Sequence, residues 1–421
     1  MGHVTSKSYY NLQKRLDKSP QGTPASESLF KILEILFTEK EAELVSVLPL
    51  KFFTVEKAAK IWKKPEKETM SILDGLADKG ILLDLANEKT KSYVLAPPMA
   101  GFFEFSLMRT DGKFDTKVLS EIYHQYINVE DKFAKEVFGV EPMMCRTFVQ
   151  EEALEPSITI LDYEKATKVI DTATFITVGR CYCRHKMEHM GKACDNPQMV
   201  CLTFNRPAKS LAKHGISKKI SKKEAHEILD KSIKLGLVQV GDNVQDRVGW
   251  ICNCCSCCCE ALLVYKRLGF MPKMNSNFYA SGDKSKCTDC GICNKKCPVE
   301  AIDKSKVDYN RCIGCGVCTR FCPVNAIKMK RRKETIFVPK DVFERFLITA
   351  INEGKLQNFI FDNHQFWGYE ALRRLIGIVL KLPPTKKLLA HKQLKSRYLK
   401  FISKKAGYSE DTDYSHPELD K

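Results

Sequence analysis

The spacing of apolar residues divides the chain into stretches of helical and extended character. Leu29, Ile32, Leu33, Ile35 and Leu36 recur at helical intervals over residues 26–41. A short helix is predicted over 54–62, with Thr54 as its cap ahead of Glu56. A third covers 65–78, with Met70, Ile72, Leu73 and Leu76 on its apolar face and Gly80 ending it. Residues 81–85 and 92–95, joined by a polar turn at 87–91, have the pattern of a hairpin. Further along, a helix is expected over 118–138, with Tyr123, Tyr126, Phe133 and Phe138 as core residues. Strands are expected over 158–161 and 174–178, with a helix over 163–170 between them. The Ser221–Glu224 capping box opens a helix whose one face carries Ala225, Ile228, Leu229, Ile233 and Leu235. Strands over 237–240 and 248–251 follow. Two more helices are predicted over 341–351 and 367–382, the second stopped by Pro383 and Pro384.

A length of 421 residues accommodates two to four domains. The longest apolar run, residues 375–380, falls far short of the ~18 residues that cross a bilayer, so no transmembrane segment is expected. Residues 1–20 are polar and contain no apolar signal region, so a cytoplasmic location is expected. The 19 cysteines then point to metal binding in a reducing compartment. The net charge of +17 suits an anionic partner, and its placement narrows the choice. Residues 381–405 hold nine Lys or Arg and no acid, interleaved with Leu388, Leu389, Leu394, Tyr398 and Phe401. Such a segment can grip an acidic protein face, make peripheral contact with a membrane, or merely cover a core with a solvated side outward. The last dozen residues are polar and expected to be disordered.

The cysteine spacing is most informative between Cys287 and Pro323. Cys287, Cys290, Cys293 and Cys297-Pro298 repeat 25 residues later as Cys312, Cys315, Cys318 and Cys322-Pro323. The repeat extends to Pro298-Val299-x-Ala301-Ile302 against Pro323-Val324-x-Ala326-Ile327. This resembles a bacterial-type ferredoxin domain with two [4Fe–4S] clusters. Three thiolates on one tight loop cap three corners of a cube, and the cysteine before proline serves the other cube. The resemblance therefore implies one cluster on Cys287, Cys290, Cys293 and Cys322, and another on Cys312, Cys315, Cys318 and Cys297. Zinc also uses C-x2-C pairs, but the third cysteine and the Cys-Pro that follows argue for iron–sulfur.

A second cysteine field lies upstream, as Cys181, Cys183, Cys194 and Cys201, followed by Cys252, Cys254, Cys255, Cys257, Cys258 and Cys259. Six cysteines in eight residues have no reading as ordinary core. One or two further [4Fe–4S] clusters are expected, held by Cys181, Cys183, Cys194, Cys201, Cys252, Cys254, Cys258 and Cys259, their distribution left open; zinc is the alternative. Arg180, Arg184, His185 and Lys186 flank the first pair, either as donors to cluster sulfurs or as solvated loop charges. Cys145 is expected to be structural.

Three helices followed by a hairpin resemble a winged helix-turn-helix domain. Its third helix carries Glu66, Lys67, Glu68, Asp74 and Asp78 and no Arg, so partner docking or internal packing is favoured over DNA. The whole resembles dicluster ferredoxin-type iron–sulfur proteins with a winged-helix-like front end and a cysteine-rich middle module. The expected fold class is α+β and multidomain. A polar tail (1–24) precedes a winged-helix-like domain (25–112) and an α/β cysteine-rich domain (113–275). A 2[4Fe–4S] ferredoxin domain (278–332) and a basic helical tail (333–421) complete it. The implied function is electron transfer, as a subunit or redox partner of an anaerobic oxidoreductase, through a partner acidic at its docking face. Two alternatives are a redox-sensing transcription regulator and a reductase with an open-site cluster in the middle domain. No dinucleotide fingerprint, P-loop or nucleophile–base signature is present, so a carrier is expected in preference to a stand-alone enzyme, and no catalytic residue is assigned.

Overall fold

A computed structural model describes residues 5–86, 91–269 and 274–360. The turn residues 87–90, the helix expected over 367–382, the basic segment 381–405 and the polar C-terminal end lie outside the described residues. The chain forms two compact units. The first draws on residues 1–106, 111–115 and the segment from 343 onward; the second comprises 107–110 and 116–342.

In the first unit, helices Lys7–Asp17, Glu27–Leu36 and Glu39–Ser46 precede strand β1 (Phe53–Thr54). Helices Val55–Trp62 and Glu66–Asp78 follow, then β2 (Leu82–Ala86) and β3 (Lys91–Leu95). Strand β3 pairs antiparallel with both β1 and β2. The polar tail expected over 1–24 contains the first helix, which buries Leu12 and Leu16; its two apolar anchors are too few to mark a helix among Lys, Asn and Gln. The single helix expected over 26–41 is two. Phe37 is extended, and Thr38 restarts the chain with a capping box to Glu41. Thr54 caps its helix through the amide of Lys57, as its sequence position predicts.

The second unit is built on a six-stranded antiparallel sheet. Its strands are β4 (Cys145–Phe148), β5 (Ile176–Arg180), β6 (Met199–Phe204), β7 (Lys218–Ile220), β8 (Val238–Asp242) and β9 (Trp250–Cys254), in spatial order β4-β8-β9-β6-β5-β7. One face is apolar. Val178, Leu202, Phe204 and Ile251 pack there against Ile170 of helix Ala166–Thr172 and against Ala225 and Leu229 of helix Lys222–Lys234. Because side chains alternate along a strand, the neighbouring positions point to the other face. Leu202 pairs with Ile251, so Cys201 and Cys252 stand opposite each other on that second face.

Residues 158–161 form no strand; Leu161 is exposed, and the carbonyl of Thr159 accepts from Arg331 at 2.9 Å. The helix expected over 163–170 begins later, at Ala166, after a single turn at Asp162–Glu164. The helix expected over 118–138 is broken into Thr116–Tyr123, a wider turn His124–Val129, and Asp131–Phe138. The unit closes with β10 (Phe278–Gly282) paired to β13 (Ile327–Arg331), enclosing the hairpin β11 (Ile302–Asp303) and β12 (Lys306–Val307). Short helices Ile292–Lys296 and Val317–Arg320 fill the two halves of this repeat.

Gly241 in β8 holds the sheet tightly. A Cβ there would lie 2.7 Å from the carbonyl oxygen of Trp250 and 2.8 Å from the ring of Phe148. Gly241→Ala is expected to cost about 1–3 kcal/mol of stability, through overpacking against backbone that cannot move aside. Thermal unfolding of the anaerobically purified chain, followed by circular dichroism, checks this; an unchanged melting temperature contradicts it.

Candidate metal centres

In the repeat region the two quartets read from the sequence come together as separate groups. Cys297, Cys312, Cys315 and Cys318 line one cavity of about 330 Å³, counting space open to solvent. Cys287, Cys290, Cys293 and Cys322 line another of about 300 Å³. The sulfurs are met by backbone amides in matching positions of the two halves. The amide of Ala301 donates to Cys297 at 3.2 Å, and that of Ala326 donates to Cys322 at 3.2 Å. Ala280 adds a donor to Cys312 at 3.5 Å. Such donors stabilise negative charge on sulfur, as an iron–sulfur cube requires.

The two quartets differ in burial. Cys312, Cys315 and Cys318 are buried, whereas Cys290 is exposed. Burial drives the thiol pKa of Cys297, Cys315 and Cys318 upward. The metal-free thiols therefore hold their protons, which a metal must displace. Gly314 has φ +72°, and a Cβ on it would stand 2.1 Å from the carbonyl oxygen of Phe278. A side chain is thus excluded both by conformation and by space.

The middle cysteines separate into a group of four and a group of six. Cys194, Cys255, Cys257 and Cys258 have sulfurs that all lie within 4.8 Å of one another. Cys194 is 3.7 Å from Cys255 and 3.8 Å from Cys258, and Cys257 is 3.6 Å from Cys258. The hydrogen bond from Cys258, with help from the Arg184 charge, lowers the Cys255 pKa to about 4. Burial and then the Cys255 charge push Cys257 up to about 12. Asn196 donates its amide to Cys194 at 3.2 Å. Cys255 and Cys257, omitted from the expected ligand set, belong to this group, whereas Cys194 and Cys258 do not join the remaining expected ligands. Consecutive cysteines gave no signal for the split, because a tight turn at 256–258 decides which way each sulfur points.

The other six sulfurs form a connected series. Cys181 interacts with Cys183, Cys183 with Cys259, Cys259 with Cys254, and Cys254 with Cys252. Cys252 in turn lies 3.9 Å from Cys201. Strands β6 and β9 supply Cys201, Cys252 and Cys254, while Cys181 and Cys259 sit at the N-termini of helices Tyr182–His189 and Glu260–Arg267. Helix N-termini carry partial positive charge, yet the hydrogen bond with Cys183, and then burial, raise the Cys181 thiol pKa. The amide of Glu260 points at Cys183 at 3.5 Å.

Arg184 lies between the two groups with no exposed surface, so the picture of a solvated loop charge does not hold for it. Its guanidinium donates to the carbonyls of Pro197 and Asn253, both at 2.8 Å. Its Nε is buried without a partner. Burial opposes its charge, yet the sulfurs of Cys181 and Cys255 hold its pKa above the ordinary value. His185 and Lys186 are likewise buried. Lys186 pairs with the fully buried Glu260 and donates to Asn128 at 2.8 Å. Burial raises the Glu260 pKa, partly offset by Lys186. Arg180 is half-buried, facing Glu188 at 3.5 Å.

A hydrogen-bonded path joins the middle sheet to the repeat. The amide of Gln150 donates to the carbonyl of Cys315 at 3.0 Å, and its side chain donates to Gln239 at 3.1 Å. Gln239 donates to Asn253 at 3.0 Å, and the carbonyl of Asn253 accepts from Arg184. Cys145, in β4, is buried, in keeping with a structural role.

A family model described as a 4Fe-4S binding domain matches residues 281–303 and again 305–328. Searches of curated proteins and of solved structures found no match. The doubled match, with the wealth of cysteines, supports an iron–sulfur electron-transfer protein. Among the described residues, no helix is long and apolar enough to cross a membrane.

Gly314→Ala is expected to disrupt the loop carrying Cys312, Cys315 and Cys318 while leaving the other half of the repeat loaded. Iron analysis should then show a loss of about four irons per chain, one cube's worth. Full iron content would show that the loop tolerates the added carbon.

Proposed function

We propose that this chain is an electron carrier that serves a larger oxidoreductase, passing single electrons through two [4Fe–4S] clusters in the repeat and one further iron–sulfur centre in the middle domain. The observation that carries this reading is the gathering of two cysteine quartets around separate cavities within the matched segment. Cys297, Cys312, Cys315 and Cys318 would hold the inner cluster, and Cys287, Cys290, Cys293 and Cys322 the outer one. The clusters would supply the redox chemistry; the protein binds them, sets their potential and governs access.

The path through Gln150, Gln239 and Asn253 supports an inner cluster that communicates with the middle domain. The exposure of Cys290 supports an outer cluster that meets the partner. Lys284, Lys286, Lys295 and Lys296 are exposed on the same half of the repeat, which suits an acidic docking face. The further centre is proposed on Cys181, Cys183, Cys201, Cys252, Cys254 and Cys259. Two helix N-termini and a buried guanidinium compensate the negative charge that such a centre brings.

The first unit fits a docking role. Its order of three helices, a strand, two helices and two strands supports the winged-helix reading. The outward positions of helix Glu66–Asp78 include Glu66, Lys67, Glu68 and Met70, a surface with little to offer phosphate.

Anaerobic purification followed by iron and acid-labile sulfide analysis tests the proposal. About twelve of each per chain are expected, from three four-iron clusters, and Cys312→Ser with Cys318→Ser should remove about four. Reduction should give electron paramagnetic resonance signals from interacting clusters. Eight irons would remove the middle centre, and fewer than four would overturn the carrier reading.

A further inference from the structure

The separation of the middle cysteines into four and six raises the question of what the group of four holds. A cube binds each thiolate at a different iron, so its four sulfurs stand around a body several atoms wide. A single tetrahedral ion draws all four onto one point. With metal–sulfur bonds of about 2.3 Å, the edges of that tetrahedron measure about 3.8 Å. The observed separations are 3.7 Å for Cys194–Cys255, 3.8 Å for Cys194–Cys258 and 3.6 Å for Cys257–Cys258. Among the described residues, these four are the metal-ligating side chains drawn together within 4.8 Å of one another.

We infer that Cys194, Cys255, Cys257 and Cys258 form a mononuclear tetrathiolate zinc site, separate from every iron–sulfur centre of the chain. Four protein ligands leave no open position, which makes the site structural. Each thiol that binds exchanges its S–H bond for an S–Zn bond and releases its proton to solvent, with no change of oxidation state. Zinc with four thiolates carries a net charge of −2, and the surroundings answer it. Arg184 lies fully buried beside Cys255, with its Nε unpartnered among protein groups. Asn196 donates to Cys194 at 3.2 Å. Met187, Leu237 and Met190 pack around Cys255 and Cys258, while Cys257 faces solvent.

The site ties two distant loops. Cys194 follows helix Tyr182–His189, and Cys255 to Cys258 form the turn between β9 and helix Glu260–Arg267. Both helices present their N-termini to the group of six. The zinc site therefore lies at the flank of these helices, beside the group of six but separate from it. The zinc inference rests on the geometry of its own four sulfurs and stands whether or not that centre holds iron.

The full chain, expressed with both iron and zinc supplied and purified anaerobically, is expected to contain about one zinc per chain in addition to its iron. X-ray absorption at the zinc edge of the unmodified protein should show four sulfur neighbours at about 2.3 Å and no nitrogen or oxygen. Absence of zinc, or a nitrogen or oxygen neighbour, overturns the assignment without any appeal to variants. The double variant Cys255→Ser, Cys257→Ser should lose the zinc and keep iron and sulfide at the unmodified level. A loss of about four irons with matching sulfide, zinc being retained, would place a cube there instead. Low iron in the unmodified chain with zinc present in the tetrathiolate environment would defeat the carrier proposal and leave the zinc inference standing.

Discussion

Negative charge gathered in a buried volume is the constraint to which this protein answers. A thiolate taken out of water must be met by cations, dipoles or donors, or it reverts to the neutral thiol. The middle domain meets that demand with Arg184, which has no exposed surface, and with two helix N-termini aimed at one group of sulfurs. The repeat meets it with backbone amides, Ala301 to Cys297 and Ala326 to Cys322. These are two solutions to one electrostatic problem. Amides serve where a loop wraps a single quartet; a side-chain cation serves where sulfurs of two groups, Cys181 and Cys255 among them, flank one guanidinium.

The sheet makes the crowding possible. Its apolar face buries the helices Ala166–Thr172 and Lys222–Lys234, which frees the opposite face for chemistry. Alternation along β6 and β9 then carries Cys201 and Cys252 to that face in register, while Leu202 and Ile251 point into the core. The same strand that stabilises the fold therefore presents the cysteines. Polar residues inside this region are held by partners: Gln239 by Asn253, Asn253 by the carbonyl of Val200, and Lys186 by Asn128 and Glu260.

The sequence was most legible where geometry is local. The two quartets of the repeat could be grouped because a C-x2-C-x2-C loop brings three of its own sulfurs together, and Ser221 and Thr54 announced their helices through a side chain and an amide three residues away. The helix Lys7–Asp17 was missed because only a thin apolar stripe marks it, and 158–161 misled because short apolar runs do not fix a partner strand. The sorting of Cys252 to Cys259 was beyond reach for a similar reason. Whether Cys254 faces Cys259 or Cys255 faces Cys194 depends on a turn and on a loop some sixty positions away. The burial of Arg184 was equally hidden, since its charge in a loop-like stretch says nothing about what packs over it.

Strand order also sets how far apart in the chain the two kinds of cysteine group are assembled. The cysteines of the repeat lie between Cys287 and Cys322, mostly on two short loops, so each pocket takes shape from neighbouring sequence. The middle sulfurs run from Cys181 to Cys259, and their meeting requires β6 to lie beside β9 with β8 on its far side. The repeat thus draws its pockets from neighbouring sequence, whereas the middle sulfurs meet only where strands distant in the chain lie side by side.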